Sequence, residues 1–330
     1  NSMIITGFTT SLNFPTTEGC FQKAYLDGSD GFIVKFDKNH KIQWCTYVGG
    51  TGSEGGLGLA ISPADSSIWF CGGTTSQDFP ITGNAFKDKN TDERFDGFIG
   101  NISSKGHLNY LTYYGGSADD SFTGLVTNSK GDAFLCGNSE GQGFPVTVNA
   151  FKDSLRGSMN AVIVKFDKYY NRIFSSYWGG SVFDWAFGIA KDISDNIIIC
   201  GSTWSKDYPV KNGEHLNGRD DVFVTKFDSH FNILWSTCFG GSSLEDAWSV
   251  ATDSEGNILV HGSTTSGDFK TTPCAYRRET EDTLDNFIIK LDSNGALLWS
   301  SLWGGIDSNG KSIFLRSEER RVGKECRSRW

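Results

Sequence analysis

One pattern returns five times along this chain, about 64 residues apart, and it limits the fold more than any local motif does. Its anchor is a Gly-Gly pair closing an aromatic-rich segment: Gly49-Gly50, Gly115-Gly116, Gly179-Gly180, Gly240-Gly241 and Gly304-Gly305, at intervals of 66, 64, 61 and 64 residues. A second anchor keeps the same beat at Phe14-Pro15, Phe79-Pro80, Phe144-Pro145 and Tyr208-Pro209, with Phe269-Lys270 as a degenerate fifth. A fixed period of this length marks a repeat architecture, in which one supersecondary unit recurs because it cannot bury its apolar face alone. Most of the conspicuous residues are therefore repeated for structural reasons.

The fourth copy shows the unit most cleanly. AWSVAT (247–252) alternates small or apolar with polar residues, the turn DSEGN follows, and ILVHG is a second β-rich run. A long polar loop (263–284) leads to NFIIKLD (286–292), the turn SNG, and ALLWSSLWGG, ended by the double glycine. Period-2 runs rich in Val, Ile, Phe and Trp, punctuated by Gly, Asn, Asp and Ser, predict four short antiparallel strands joined by tight turns. Such units, repeated with no helical stretch between them, predict an all-β chain folded as a β-propeller, one four-stranded blade per repeat around a central channel. A parallel β-helix would have a shorter period, helical solenoids need a 3.6-residue pattern that is absent, and a β-sandwich does not repeat internally.

In detail the repeats resemble the bacterial seven-bladed β-propeller repeat (SBBP) family. Its elements stand here as GSTWSKDYPV (201–210), DVFVTKFD (221–228) and STCFGG (236–241), and as DGFIVKFD (30–37) with CTYVGG (45–50). The resemblance covers residues 3 to about 310; the second copy departs from it with IGNISSKG (99–106) where Lys-Phe-Asp is expected. It implies a propeller and favours an extracellular or cell-surface setting. It implies no activity, because the family is defined by its repeat.

The chain opens on NSMIITG, which aligns with the second strand of a repeat (compare NIIICG, 196–201). About five blades are expected, ending near 50, 116, 180, 241 and 305, the first with three strands. Residues 311–315 would complete that first blade in a closed five-bladed ring; the preferred expectation is a partial arc of a larger propeller. The propeller repeats are thus assigned to 1–315. Residues 316–330, RSEERRVGKECRSRW, carry six Lys/Arg and three Asp/Glu and resemble a vector- or adaptor-derived translation, read as a non-native or disordered tail. Net charge is −9, and removing the tail's +3 gives −12. An acidic balance argues against nucleic acid as a partner, since phosphates demand a basic face. No apolar run approaches the ~20 residues of a membrane span.

Cys71, Cys136 and Cys200 share one repeat position, assigned to the end of the second strand and read as small buried apolar residues. Seven cysteines without close spacing, once the tail is set aside, are not a disulfide framework, which weakly opposes an oxidising compartment. GTGSEG (50–55) matches a dinucleotide fingerprint, but a strand and not a helix follows it. Asp88, Asn90 and Asp92 imitate the start of a calcium loop without its glycine or final glutamate. The histidines lack metal-ligand spacing, and Asn101-Ile-Ser103 is a lone glycosylation sequon. Trp44, Trp235 and Trp299 recur at one site and predict blade-to-blade packing. Trp204 is less regular and falls in a long loop, which makes it the better ligand-contact candidate.

Four residues after each Gly-Gly stands an acid, Glu54, Asp120, Asp184 or Glu245, with Asn309 in the fifth copy. The segment links the outer strand of one blade to the inner strand of the next, so these acids are expected at one mouth of the channel, beside the long loops. Two roles follow: carboxylates accepting backbone N–H bonds at the blade junctions, or an acidic funnel for a basic partner or a cation, with calcium the only cofactor suggested. The expected function is a non-catalytic module, a binding or scaffold platform within a larger surface or secreted protein, taking a protein or carbohydrate ligand on the long-loop face. The alternative is a polysaccharide-acting enzyme using that face, since glycoside chemistry needs two carboxylates in unlike environments.

Overall fold

The computed structural model describes residues 2–90, 94–280 and 284–303. Expectations about Gly304-Gly305, Asn309, ring closure through 311–315 and the tail at 316–330 lie outside the described residues, as does Asp92. Within them the chain is all-β, a succession of antiparallel propeller blades with no helix.

The chain divides into two compact units, 1–178 and 179–330. The first unit holds a three-stranded blade, β1 (Met3–Thr9), β2 (Asp30–Phe36) and β3 (Ile42–Val48). Two four-stranded blades follow: β4 (Glu54–Ile61), β5 (Ile68–Thr74), β6 (Asp96–Ile102) and β7 (Leu108–Tyr114), then β8 (Asp120–Thr127), β9 (Ala133–Ser139), β10 (Asn160–Phe166) and β11 (Arg172–Trp178). The second unit holds β12 (Asp184–Lys191), β13 (Ile197–Thr203), β14 (Asp221–Phe227) and β15 (Ile233–Phe239), then β16 (Glu245–Thr252), β17 (Ile258–Thr264), β18 (Asp285–Leu291) and β19 (Leu297–Trp303). Strands pair in chain order, and each fourth strand stops just before its Gly-Gly pair.

One device makes most of the tight hairpins. Asp37, Asp167, Asp192, Asp228, Asp253 and Asp292 each accept, through Oδ1, the N–H groups two and four residues on. The residue three positions on adopts positive φ, as at Tyr170 (71°), Phe231 (62°) and Gly295 (89°). A side-chain oxygen thus replaces a backbone acceptor and fixes the turn. The middle strands carry Val, Ile and Phe on both faces because both are covered: β9, β10, β13 and β14 are buried throughout. The first strand of a blade alternates, as in β12, leaving one face partly open.

Tryptophan fastens blade to blade. The Trp44 Nε1–H and the Lys35 ammonium both donate to the Ser104 carbonyl in the next blade's turn, at 3.1 and 2.8 Å. Trp235 and Lys226 repeat this on Ser293, at 3.1 and 3.0 Å. The turn glycines Gly106 and Gly295 lie against the two indoles, where a Cβ would come within about 2.9 Å of the ring.

The long second-to-third-strand loops, which the sequence showed only as long and polar, take a definite course. Each runs back along the outer strand of its own blade. In the Phe-Pro-x-Thr element, Thr17, Thr82 and Thr147 donate their N–H to the carbonyls of Cys45, Leu111 and Ser175, and accept those residues' N–H on Oγ1. An exposed strand edge is a template for unwanted pairing, and these loops cover it. Cys71, Cys136 and Cys200 lie mid-strand rather than at a strand end, fully buried and in no disulfide. Asn101 of the sequon is buried in β6, with its Nδ2 donating to Ser67 Oγ at 3.0 Å, so it is not displayed for glycosylation.

Burial pushes the Cys45 thiol up to about 11 and those of Cys136 and Cys238 up to about 12. Alkylation of native protein followed by peptide mapping should therefore label Cys20 and Cys274, which reach solvent, and spare Cys45, Cys71, Cys136, Cys200 and Cys238 until denaturant is added.

Candidate functional site

Each acid singled out from the sequence begins the first strand of a blade: Glu54 in β4, Asp120 in β8, Asp184 in β12 and Glu245 in β16. All four are at most 3 % exposed. Each carboxylate accepts the N–H of the second glycine of the preceding pair: Gly50 at 3.3 Å, Gly116 at 2.6 Å, Gly180 at 2.7 Å and Gly241 at 2.8 Å. The remaining acceptor capacity meets a Thr-x-Ser element at the end of the blade's second strand. Glu54 takes the Thr74 and Ser76 hydroxyls, both at 2.6 Å; Asp184 takes Thr203 and Ser205, at 2.6 and 3.0 Å; Glu245 takes Thr264, at 2.6 Å.

A second acid, overlooked in the sequence, completes the junction. The residue opening the third strand is Asp30, Asp96, Asp221 or Asp285, with Asn160 in the remaining blade, and all are buried. The signal was the leading Asp of DGFIVKFD and DVFVTKFD, read there only as part of a repeat motif. The first glycine of the pair lies between the two acids. A Cβ on Gly49 would strike the carboxylates of Asp30 and Glu54, one on Gly115 those of Asp96 and Asp120, and one on Gly240 those of Asp221 and Glu245. The third-strand acids have varied donors. Asp30 accepts from Gln22 and the Leu26 N–H, Asp96 from Lys87 at 2.7 Å, Asp221 from the Asn217 and Gly218 amides, and Asp285 from Arg277.

Asp120 is the exception. Its blade carries Ser139 and Gly141 where the others have threonine and serine, the Ser139 hydroxyl donates to the Gly141 carbonyl, and Asp120 Oδ1 is buried without a hydrogen-bond partner. Burial pushes the Asp120 carboxyl up to about 7; the nearby Ser139 hydroxyl, the Gly116 N–H and the Lys87 ammonium oppose the rise, and Asp96 adds to it. Burial likewise raises Asp30 to about 6 and lifts Glu54 and Glu245 above the usual carboxylate range. Among the described residues, no group of three or more His, Cys, Asp and Glu side chains is placed to hold a metal ion.

Trp204 follows β13 directly and is partly buried. Its indole N–H donates to Asp220 Oδ2 at 2.7 Å, and the Arg219 guanidinium lies 5.7 Å over its ring. The ring meets Phe183 at 5.2 Å between centroids, and contacts continue from Phe183 to Trp185 (5.7 Å), Trp185 to Phe187 (6.1 Å) and Phe187 to Trp248 (4.9 Å). The repeat-equivalent residues elsewhere are mostly small or polar: Ser53, Asp119 and Leu244 for Phe183; Gly55, Ser121 and Asp246 for Trp185; Thr75, Glu140 and Thr265 for Trp204. Phe183, Trp185 and Trp204 break the repeat, Phe187 and Trp248 share one repeat position, and the acids obey it throughout.

No family model matches the chain. Over 99 residues it is 27 % identical to the Regulatory protein FlaEY of Caulobacter vibrioides, a stretch covering 30 % of this chain and 10 % of that protein. The chain thus matches about a tenth of the length of that curated relative. Among solved structures it is similar to the hydrazine synthase of Kuenenia stuttgartiensis (TM-score 0.45, 11 % identity, 84 % of this chain and 66 % of that one). It is also similar to a gluconolactonase from Xanthomonas campestris (TM-score 0.32, 12 % identity, 88 % and 89 %). No helix among the described residues is long and apolar enough to cross a membrane.

Two measurements check the junction. Gly240→Ala drives a methyl group between Asp221 and Glu245 and should destabilise the fold by about 3 kcal/mol in denaturant titration, at the upper end of overpacking costs. Asp120 binds its proton more tightly folded than unfolded, from the ordinary value of 3.8 to about 7. The associated stabilisation is complete below about pH 4 and is lost as pH rises through about 7. Asp120→Asn, which resembles the protonated acid, should flatten the fall in melting temperature between pH 5 and 8 and raise it at pH 8.

Proposed function

We propose that this chain is a non-catalytic β-propeller repeat module of the SBBP type, a binding or scaffold platform within a larger surface or secreted protein. The observation that carries this reading is where the repeated carboxylates spend their hydrogen bonds. Glu54, Asp184 and Glu245 are buried and accept from glycine amides and Thr-x-Ser hydroxyls of the same fold. A glycosidase needs two carboxylates open to substrate and tuned to different tasks. These acids are instead equivalent by repeat and enclosed by the sheets they join. The outer-strand loops support the same reading, because they stiffen the blade edges and leave a rigid frame on which side chains can be displayed.

A surface-tethered preparation, screened against a glycan array and a displayed peptide library, should retain a ligand without altering it, and reducing-end assays on soluble polysaccharides should stay flat. Retention of neither class, or release of reducing sugar that Glu54→Gln or Glu245→Gln abolishes with the fold intact, would overturn the reading. If the acids are junction elements, Glu245→Gln should lower stability by about 1–3 kcal/mol.

A further inference from the structure

We infer that the aromatic row of the second unit, Trp204, Phe183, Trp185, Phe187 and Trp248, is a binding platform for a neutral oligosaccharide chain. This rests on the binding-module reading and gives it a site and a ligand class.

Three observations converge. The first is that the sheets do not require these rings. Gly55 and Ser121 stand where Trp185 does, and Thr75 and Glu140 where Trp204 does, in blades with the same four-stranded topology. The second is how the rings are aimed. β12 and β16 each carry a β-bulge at one place, between Ala186 and Gly188 and between Ala247 and Ser249. The extra residues are Phe187 and Trp248; β4 and β8 bulge at the same place, so the bulge belongs to the repeat while the rings it carries belong to these two strands. Both strands present their partly open face here, and all five rings are partly accessible. Successive planes are inclined by 39° to 61° and not stacked, and the Arg219 guanidinium lies over one side of the Trp204 ring.

The third observation is the polar lining. Trp204 Nε1–H is tied to Asp220 and Trp248 Nε1–H to Ser263 Oγ at 3.1 Å, which fixes both indole planes before any ligand arrives. Asp246, partly exposed beside Trp248, accepts the Ser202 hydroxyl at 2.5 Å. Pre-set aromatic faces beside a partly exposed carboxylate suit a pyranose chain: its C–H faces lie on the rings and its hydroxyl groups donate to Asp246. Asp220 is buried, with its oxygens taken by the Trp204 indole and the Glu245 N–H. A net charge of −9 disfavours polyanionic sugars and leaves a neutral chain.

Affinity electrophoresis through gels containing xylan, laminarin, galactomannan or hydroxyethyl-cellulose tests this, with heparin as the anionic control. At least one neutral polymer should retard the protein, and heparin should not. Trp185→Ser and Trp204→Thr, which install residues that other repeats carry at those positions, should keep the melting transition and weaken retardation at least tenfold. Absence of retardation by all four neutral polymers, or retardation unchanged in the double variant, overturns the inference. Capture of a peptide in place of any glycan overturns it while leaving the platform reading standing. Retardation accompanied by cleavage keeps the site and overturns the non-catalytic reading.

Discussion

Two buried carboxylates facing each other across a backbone that carries no side chain are the constraint around which each described junction inside a unit is arranged. Placing Asp221 and Glu245 against the same Gly240 is unfavourable in itself, because both lose water and their charges repel. It is tolerated because hydroxyls and amides from neighbouring segments converge on the pair. The double glycine is conserved in kind along the chain for that reason: the first has no room for a Cβ, and the second must bring its N–H to the acid. The acids therefore locate the start of each first strand and, through the Thr-x-Ser element, the end of the second.

Departures from the repeat come with local substitutes. Where Lys-Phe-Asp becomes Asn-Ile-Ser in the second copy, the clamp made elsewhere by a lysine and a tryptophan on a turn carbonyl is absent. Tyr170 of the next blade's turn fills the place, stacked on Tyr110 at 4.8 Å and 3° with its hydroxyl 3.4 Å from Asn101 Oδ1. A similar exchange occurs in the fourth blade. Tyr47, Tyr113 and Tyr177 in the outer strands bond through their hydroxyls to their own loops, and Cys238 stands in the equivalent place. There the phenol comes from the loop itself, with Tyr208 bonded to Thr225 at 3.0 Å. At the Asp120 junction, Ser139 and Gly141 stand in for the threonine and serine, and Asp120 Oδ1 has no hydrogen bond.

The sequence displayed the blades because strand alternation, the Asp-x-x-x-Asn turns and the Gly-Gly beat are each written locally. It displayed the first acid of every junction for the same reason, through a fixed offset. It concealed the second acid, because Asp30 and Glu54 are 24 residues apart and nothing local says that one glycine touches both. It also concealed the course of the loops: Thr17 and Cys45 bond across a separation that a polar composition does not reveal. Trp204 was visible as an irregular tryptophan. Its relation to Phe187 and Trp248 depends on two bulges, which period-2 patterning does not predict.

Each junction draws its parts from both sides of a repeat boundary: the third-strand acid and the glycines from one copy, the first-strand acid and the Thr-x-Ser hydroxyls from the next. The heritable unit is thus the overlap between copies and not the blade. An in-phase duplication or deletion, wherever in the repeat the crossover falls, regenerates a complete junction at the new boundary. Genes built this way can gain or lose blades by unequal recombination without inventing a contact, while neighbouring repeats, such as the two that share the aromatic row, diverge on their open faces.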